Sequence, residues 1–216
     1  MRRKPVVQDV ADDGSVIVRS VRGFREAENG CCRCPLYENA TQAVPGEGPA
    51  HAAVMMVGEQ PGDQEDLTGK PFVGPAGKLL DRALEEAGID RRDVYVTNAV
   101  KHFKFEPRGM RRIHSKPSAG EIDRCKWWLE QELGLIKPRI VVALGATAAR
   151  SLFGKSMAIG ASRGRALTLD DGTPAFVTTH PSALLRVREE DDRTAQYKLF
   201  VVDLRRAAAA LRKKAA

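Results

Sequence analysis

Three groups of residues carry types and spacings suited to chemistry. Cys31 and Cys34 form a Cys-x-x-Cys pair in Cys31-Cys32-Arg33-Cys34-Pro35, and Cys125 lies far downstream. That spacing suits iron–sulfur or zinc ligation. It does not sit at the strand-to-helix turn of a βαβ unit, which disfavours a thioredoxin-type redox pair. A fourth donor is needed, and Cys32 and the histidines are available. Adjacent cysteines rarely point at one centre, so His102, leaving a strand beside a basic loop, is the better candidate.

The second group is glycine-rich. Gly58-Glu59-Gln60-Pro61-Gly62-Asp63 is followed by Gly69-Lys70-Pro71-Phe72-Val73-Gly74-Pro75-Ala76-Gly77. Such stretches let backbone approach a ligand closely. Neither contains Gly-Lys-Ser/Thr or GxGxxG, which disfavours a phosphate-binding NTPase and a dinucleotide site. Glu59 and Asp63 flank a tight turn and are placed to activate a nucleophile. The third group is Asn98 with His180-Pro181-Ser182.

These residues need elements to position them. Ala52–Val57 is a continuous apolar run ending in Gly58, the pattern of a buried strand. Val94–Val100 and Ile140–Leu144 read as two more strands. Arg165–Leu169 and Ala175–Thr179 read as a β-pair about the turn Asp170-Asp171-Gly172. Ala76–Ala87 carries apolar residues at helical spacing and stops at Gly88. Further helices are expected from Ser118, at Ala146–Phe153 and at Tyr197–Leu211, and a short strand at Ser15–Val21. Strands alternating with helices imply a mostly parallel sheet covered on both faces. Ligands of such sheets bind at the C-terminal strand ends. The loops after Val57, Val100, Leu144 and Thr179 are therefore expected on one rim.

The 216 residues are 43% hydrophobic and 29% charged, the balance of a globular protein. Half a membrane span is the longest apolar run, Ile140–Ala149. Acids soon interrupt the basic start, so no signal-peptide core follows, and reduced thiols in the cytoplasm are expected. The net charge of +7 is local. Lys101–Lys116 carries six basic residues against Glu106 alone, and Arg205–Ala216 five with no acid. The tail suits a helix C-terminus. The internal patch contains Pro107, Gly109 and Pro117, reads as a loop, and has the footprint of phosphate contact.

In combination, Gly58–Asp63, Pro71-Phe72-Val73-Gly74, Thr97-Asn98 and His180-Pro181-Ser182 resemble the motifs of the uracil-DNA glycosylase superfamily. The three cysteines resemble its iron–sulfur branch, family 4, with His102 where a third cysteine is usual. Arg111-Arg112-Ile113-His114 resembles the signature loop of the X-type subfamily (UdgX), whose members excise uracil and then stay covalently attached to DNA through the loop histidine. The resemblance spans about Cys31 to Ala207. It implies a three-layer α/β sandwich with a central, mostly parallel, four-stranded sheet. Residues 1–30 are then an N-terminal extension to a domain of residues 31–216.

It also implies roles. Gly58 and Phe72 would bind and stack on a flipped uracil. Asn98 would read the O4 and N3–H edge, where cytosine presents the opposite pattern. His180 would hydrogen-bond uracil O2 as charge develops there. His114 would attack the sugar, with Glu59 orienting it or taking its proton, and Gln60 and Asp63 shaping the sugar site. Lys101, Lys104, Arg111, Arg112, Ser182 and Arg186 would meet the DNA backbone. Cys31, Cys34, His102 and Cys125 would hold a [4Fe–4S] cluster. The expected enzyme is a monomeric, single-turnover uracil-DNA glycosylase of base excision repair, acting on uracil-containing DNA, preferentially single-stranded. An ordinary turnover family 4 glycosylase, and a non-catalytic DNA-binding protein with a zinc knuckle, are the competing readings.

Overall fold

The computed structural model describes residues 20–213. Helix α1 (Val21–Asn29) begins at Ser20, whose hydroxyl caps the Gly23 N–H. Val21 is thus helical rather than the end of a strand; the remainder of the strand expected at Ser15–Val21 lies outside the described residues. Strand β1 (Val54–Gly58) is buried throughout. A short helix α2 (Asp63–Thr68) and the longer α3 (Pro75–Ala87) follow. Proline at its first position and left-handed Gly88 after its end delimit α3. Strand β2 (Val94–Asn98) leads into a hairpin, β3 (Phe105–Arg108) and β4 (Arg111–His114), where a loop was expected.

Helix α4 (Ala119–Ile136) starts with a capping box in which Ser118 and Glu121 satisfy each other's backbone N–H groups. Strand β5 (Ile140–Leu144), helices α5 (Ala146–Phe153) and α6 (Ile159–Ser162), and strands β6 (Ala166–Thr168) and β7 (Pro174–Thr178) come next. The chain ends with α7 (Pro181–Leu184) and α8 (Glu190–Lys213). The last helix starts seven residues before its expected Tyr197. Glu190, Asp191 and Asp192 fill its first turn, where acids complement the helix dipole.

The main sheet has five strands in the order β2-β1-β5-β7-β6, one more than expected. Four are parallel, and β6 adds an antiparallel edge through its pairing with β7. Alternate residues of each strand face opposite layers. Met56, Val96 and Val142 pack with Leu80 and Leu84 of α3 and Phe200 and Leu204 of α8. Met55, Val57, Val141 and Val177 pack with Leu129 of α4 and Leu152 of α5. This is the expected three-layer α/β sandwich.

A third apolar cluster lies beside the sheet, where Phe24 of α1 meets Leu36, Val100, Cys34, Cys125 and Trp128. Among the described residues no helix is long and apolar enough to cross a membrane.

Candidate active site

The register aligns Gly58 with Asn98 across β1 and β2, and Leu144 with Thr178 across β5 and β7. The loops that leave these ends meet on one rim, as expected. They enclose a cavity of about 930 Å³ lined by Glu59, Phe72, Asn98, His114 and His180, among others.

Glycines let the parts approach. A Cβ on Gly58 would lie 2.4 Å from Asn98 Oδ1 and 2.7 Å from Phe72 Cζ, so only glycine leaves both side chains at the cavity floor. Phe72 has φ +58°, an unfavourable conformation for an aromatic residue, and backbone strain of this kind concentrates at ligand sites. Gly77 permits it, since a Cβ there would stand 1.6 Å from the Phe72 carbonyl oxygen. Glu65 ties the two glycine-rich loops together by accepting from the N–H groups of Gly62 and Gly74 at 3.1 and 2.9 Å. The rings of Phe72 and His180 are 6.2 Å apart.

His180 is the N-cap of α7, and its Nδ1 accepts from the Ser182 N–H at 3.2 Å. Ser182 Oγ lies 2.8 Å from the same nitrogen and accepts from Arg186 at 3.0 Å. Burial pulls the imidazole down to about 4, so it is neutral at physiological pH. With Nδ1 accepting, the proton resides on Nε2, which makes that atom a donor.

His114 ends β4, and its Nε2 is 3.2 Å from Glu59 Oε1. The other Glu59 oxygen accepts a short hydrogen bond from Thr147 at the start of α5. Burial alone would raise the Glu59 carboxyl, but the bonds from His114 and Thr147 outweigh it and hold the group below its ordinary value. An ionised carboxylate therefore faces the imidazole.

The hairpin that carries His114 is clamped. Gln60 Nε2 donates to the carbonyls of Lys104 and Ser115 at 3.1 and 3.0 Å, and its Oε1 accepts from the Lys104 N–H at 3.1 Å. Gln60 thus staples the hairpin base from the loop that follows β1. Arg112 binds Asp63 at 2.6 Å and Asp66 at 2.5 Å, with its guanidinium 5.5 and 5.2 Å from the rings of Phe103 and Phe105. Asp63 and Arg112 therefore face each other, a partnership their sequence separation conceals.

Not every basic residue of the patch is free. Lys101 is fully buried, and this corrects its expected role as a backbone contact. Its ammonium binds Glu132 of α4 at 2.5 Å and Thr97 at 2.6 Å, with Glu28 of α1 at 3.6 Å. Burial pushes the Glu28 carboxyl up to about 8, so the group is protonated at neutral pH and the buried charges Lys101 and Glu132 cancel. Glu132 also accepts from Tyr95, Thr97 and the Gly46 N–H. Lys104 is paired with Glu121 at 2.9 Å. Arg108, Arg111 and Lys116 are exposed.

Cys31, Cys34 and Cys125 border the third apolar cluster. Cys31 Sγ accepts from the Trp128 indole at 3.0 Å and Cys125 Sγ from the Lys101 N–H at 3.2 Å. Cys32 is exposed and apart from this set. His102 is buried, and burial pulls its imidazole down to about 4, so it is a neutral donor. Among the described residues, no three His, Cys, Asp or Glu side chains close into a ligand cage. Three soft thiols around one apolar centre, two of them taking N–H bonds, nevertheless fit an iron–sulfur group in chemistry.

The rim of this parallel α/β sandwich thus gathers Phe72, Asn98, the neutral imidazole of His180 and the Glu59–His114 pair around one cavity, the arrangement of an enzyme active site. Residues 45–205 match the uracil DNA glycosylase superfamily. The chain is similar to a type-4 uracil-DNA glycosylase of Thermotoga maritima, with 39% identity over 186 residues, 85% of this chain and 91% of that one. It is similar also to a type-4 uracil-DNA glycosylase of Pyrobaculum aerophilum, 38% identical over 170 residues, 76% of this chain and 83% of that one. A type-5 uracil-DNA glycosylase of the same organism is 32% identical over 56% of this chain and 64% of its own. The chain belongs to the uracil DNA glycosylase superfamily, enzymes that act on N-glycosyl bonds.

Proposed function

We propose that this protein excises uracil from DNA and then remains attached to the sugar through His114. The observation that carries the reading is the His114–Glu59 pair at the cavity, 3.2 Å apart, on a hairpin fixed by Gln60 and Arg112. Phe72 stacks on the flipped base, and the Asn98 amide reads its O4 and N3–H edge. As the C1′–N1 bond breaks, the electron pair leaves with uracil, and the Nε2–H of His180 stabilises the charge on O2. One ring nitrogen of His114 faces Glu59, and the other offers its lone pair to C1′. The imidazole proton passes to Glu59 as the new N–C1′ bond forms. An alkylated neutral imidazole is a poor leaving group without acid, so the adduct persists and the enzyme turns over once. The exposed side chains of Arg111, Lys116 and Arg186 contact the DNA backbone in this reading.

Cys31, Cys34, Cys125 and His102 are the residues to hold a [4Fe–4S] cluster. When bound there it would supply structural rigidity, its ligands coming from the segment after α1, the segment after β2 and α4.

Denaturing electrophoresis of the protein with labelled single-stranded DNA bearing one deoxyuridine tests the proposal. A heat-stable protein–DNA band, absent for His114→Ser, is expected. Similarity to type-4 glycosylases supports a second reading, in which water attacks and the enzyme turns over. An abasic product with no band would establish that reading instead.

A further inference from the structure

The tip of the β3–β4 hairpin carries an apolar residue that the reaction at its base does not use. Met110 is fully exposed, at 104% of its reference area, beside Gly109 with φ +59°. A lone exposed apolar side chain needs no partner, but contiguous exposed apolar residues mark an interaction surface. Ile113 and Leu67 are also exposed and, with Met110, Arg111 and Asp63, line a shallow groove on the outer side of the hairpin. Asp63 lines the active-site cavity as well, so the groove continues that cavity.

His114 lines the cavity, whereas Arg111, Arg112 and Ile113 line the groove, where Asp63 and Asp66 hold the Arg112 guanidinium. Two exposed arginines, Arg108 and Arg111, flank the tip. An apolar contact between two cations fits a nucleic-acid strand, whose bases offer flat apolar faces and whose phosphates are anionic.

We propose that Met110 is a DNA-contacting residue that packs against the face of an unstacked base near the target uridine, with Ile113 and Leu67 forming the floor beneath that base. The inference rests on the reading of the site as acting on uracil in single-stranded DNA. Met110 lies four residues from His114, about 14 Å along a strand. Even at the 3.4 Å rise of duplex DNA, a lower bound for an unstacked strand, the contacted base is within about four nucleotides of the target. Met110 thus lengthens the footprint beyond the flipped base and holds the strand while His114 attacks.

Equilibrium binding to oligonucleotides carrying 2′-fluoro-deoxyuridine, whose glycosidic bond resists cleavage, tests this. Abasic spacers replace, one at a time, each of the four bases on either side. Wild-type protein should lose affinity at one flanking position by about 5-fold, the low end for a base contact. Met110→Ser should lose the same amount on the intact strand and nothing further when that base is absent, so that the two losses do not add. Arg111→Gln should weaken every oligonucleotide alike and lower the salt dependence. Unchanged affinity for Met110→Ser, or losses that add at every position, would overturn the inference. Uracil release by wild-type protein from the ordinary deoxyuridine strand is measured in parallel. Failure there would remove the reading of the site and the inference with it, whereas release without coupling removes the inference alone.

Discussion

Replacing Lys101 by Met should destabilise this protein severely while leaving its electrostatic grip on DNA intact. The ammonium is fully buried and 2.5 Å from Glu132, whose carboxylate is itself inaccessible to water. Removing the cation leaves the Glu132 carboxyl group buried against Tyr95, Thr97 and the Gly46 N–H with no partner of opposite charge. Breaking a buried pair from one side costs about 3–5 kcal/mol. In a domain of this size each kcal/mol lowers Tm by roughly 2–4 °C, so a fall of about 6–20 °C is expected in calorimetry. Lys101→Met combined with Glu132→Gln removes both charges and should recover at least half of the loss. The slope of log Kd against log salt should not move in either variant, because Lys101 releases no counterion. A loss below about 1 kcal/mol, or a salt slope reduced by about one unit, would refute the burial argument and return Lys101 to the DNA surface.

Other outcomes follow from the same geometry. His180 has its proton affinity lowered by burial to about 4 from 6.5, so the unfolded chain binds the proton first as pH falls. Stability from this group is full above about 6.5 and is lost between there and 4, by roughly 3.5 kcal/mol at about 1.4 kcal/mol per unit, and His180→Gln should flatten the fall in Tm over that window. Gln60→Ala removes three bonds at the hairpin base and should lower the yield of attached DNA more than the yield of free uracil; equal losses would show that Gln60 does not act through the hairpin. Gly77→Ala must displace the Phe72 carbonyl and should abolish uracil release while the circular dichroism spectrum persists. Purified protein should be brown and contain iron, and His102→Ala should lose iron; full iron content in that variant would exclude His102 as a ligand.

The elements legible in the sequence were those whose apolar pattern is strong. Val54–Val57 and Ile140–Leu144 are continuous apolar runs, and the stripe Leu80, Ala83, Leu84, Ala87 has one period, so both layers and the common rim follow from them. The hairpin was hidden because Arg111–His114 is mostly exposed on both faces, and Pro107 lies in its partner strand. Its stability comes from Gln60 and Arg112, long-range partners that no local period reports. The role expected of Lys101 failed for a related reason. Lysine is almost never fully buried unless paired, and its partners Glu28 and Glu132 lie 73 and 31 residues away. Thr147 as the second partner of Glu59, and Glu65 as the tie between two loops, carried no signal beyond their polarity.

The third apolar cluster has an optical consequence. The chain has two tryptophans, Trp127 and Trp128, their rings 4.7 Å apart and one of them bonded to Cys31. All indole emission therefore originates at the cysteine end of α4, away from the cavity. An iron centre held there would keep that emission dark by energy transfer, and its loss would switch the light on. Tryptophan emission would then serve as a built-in gauge of such a centre's integrity, readable in the cuvette.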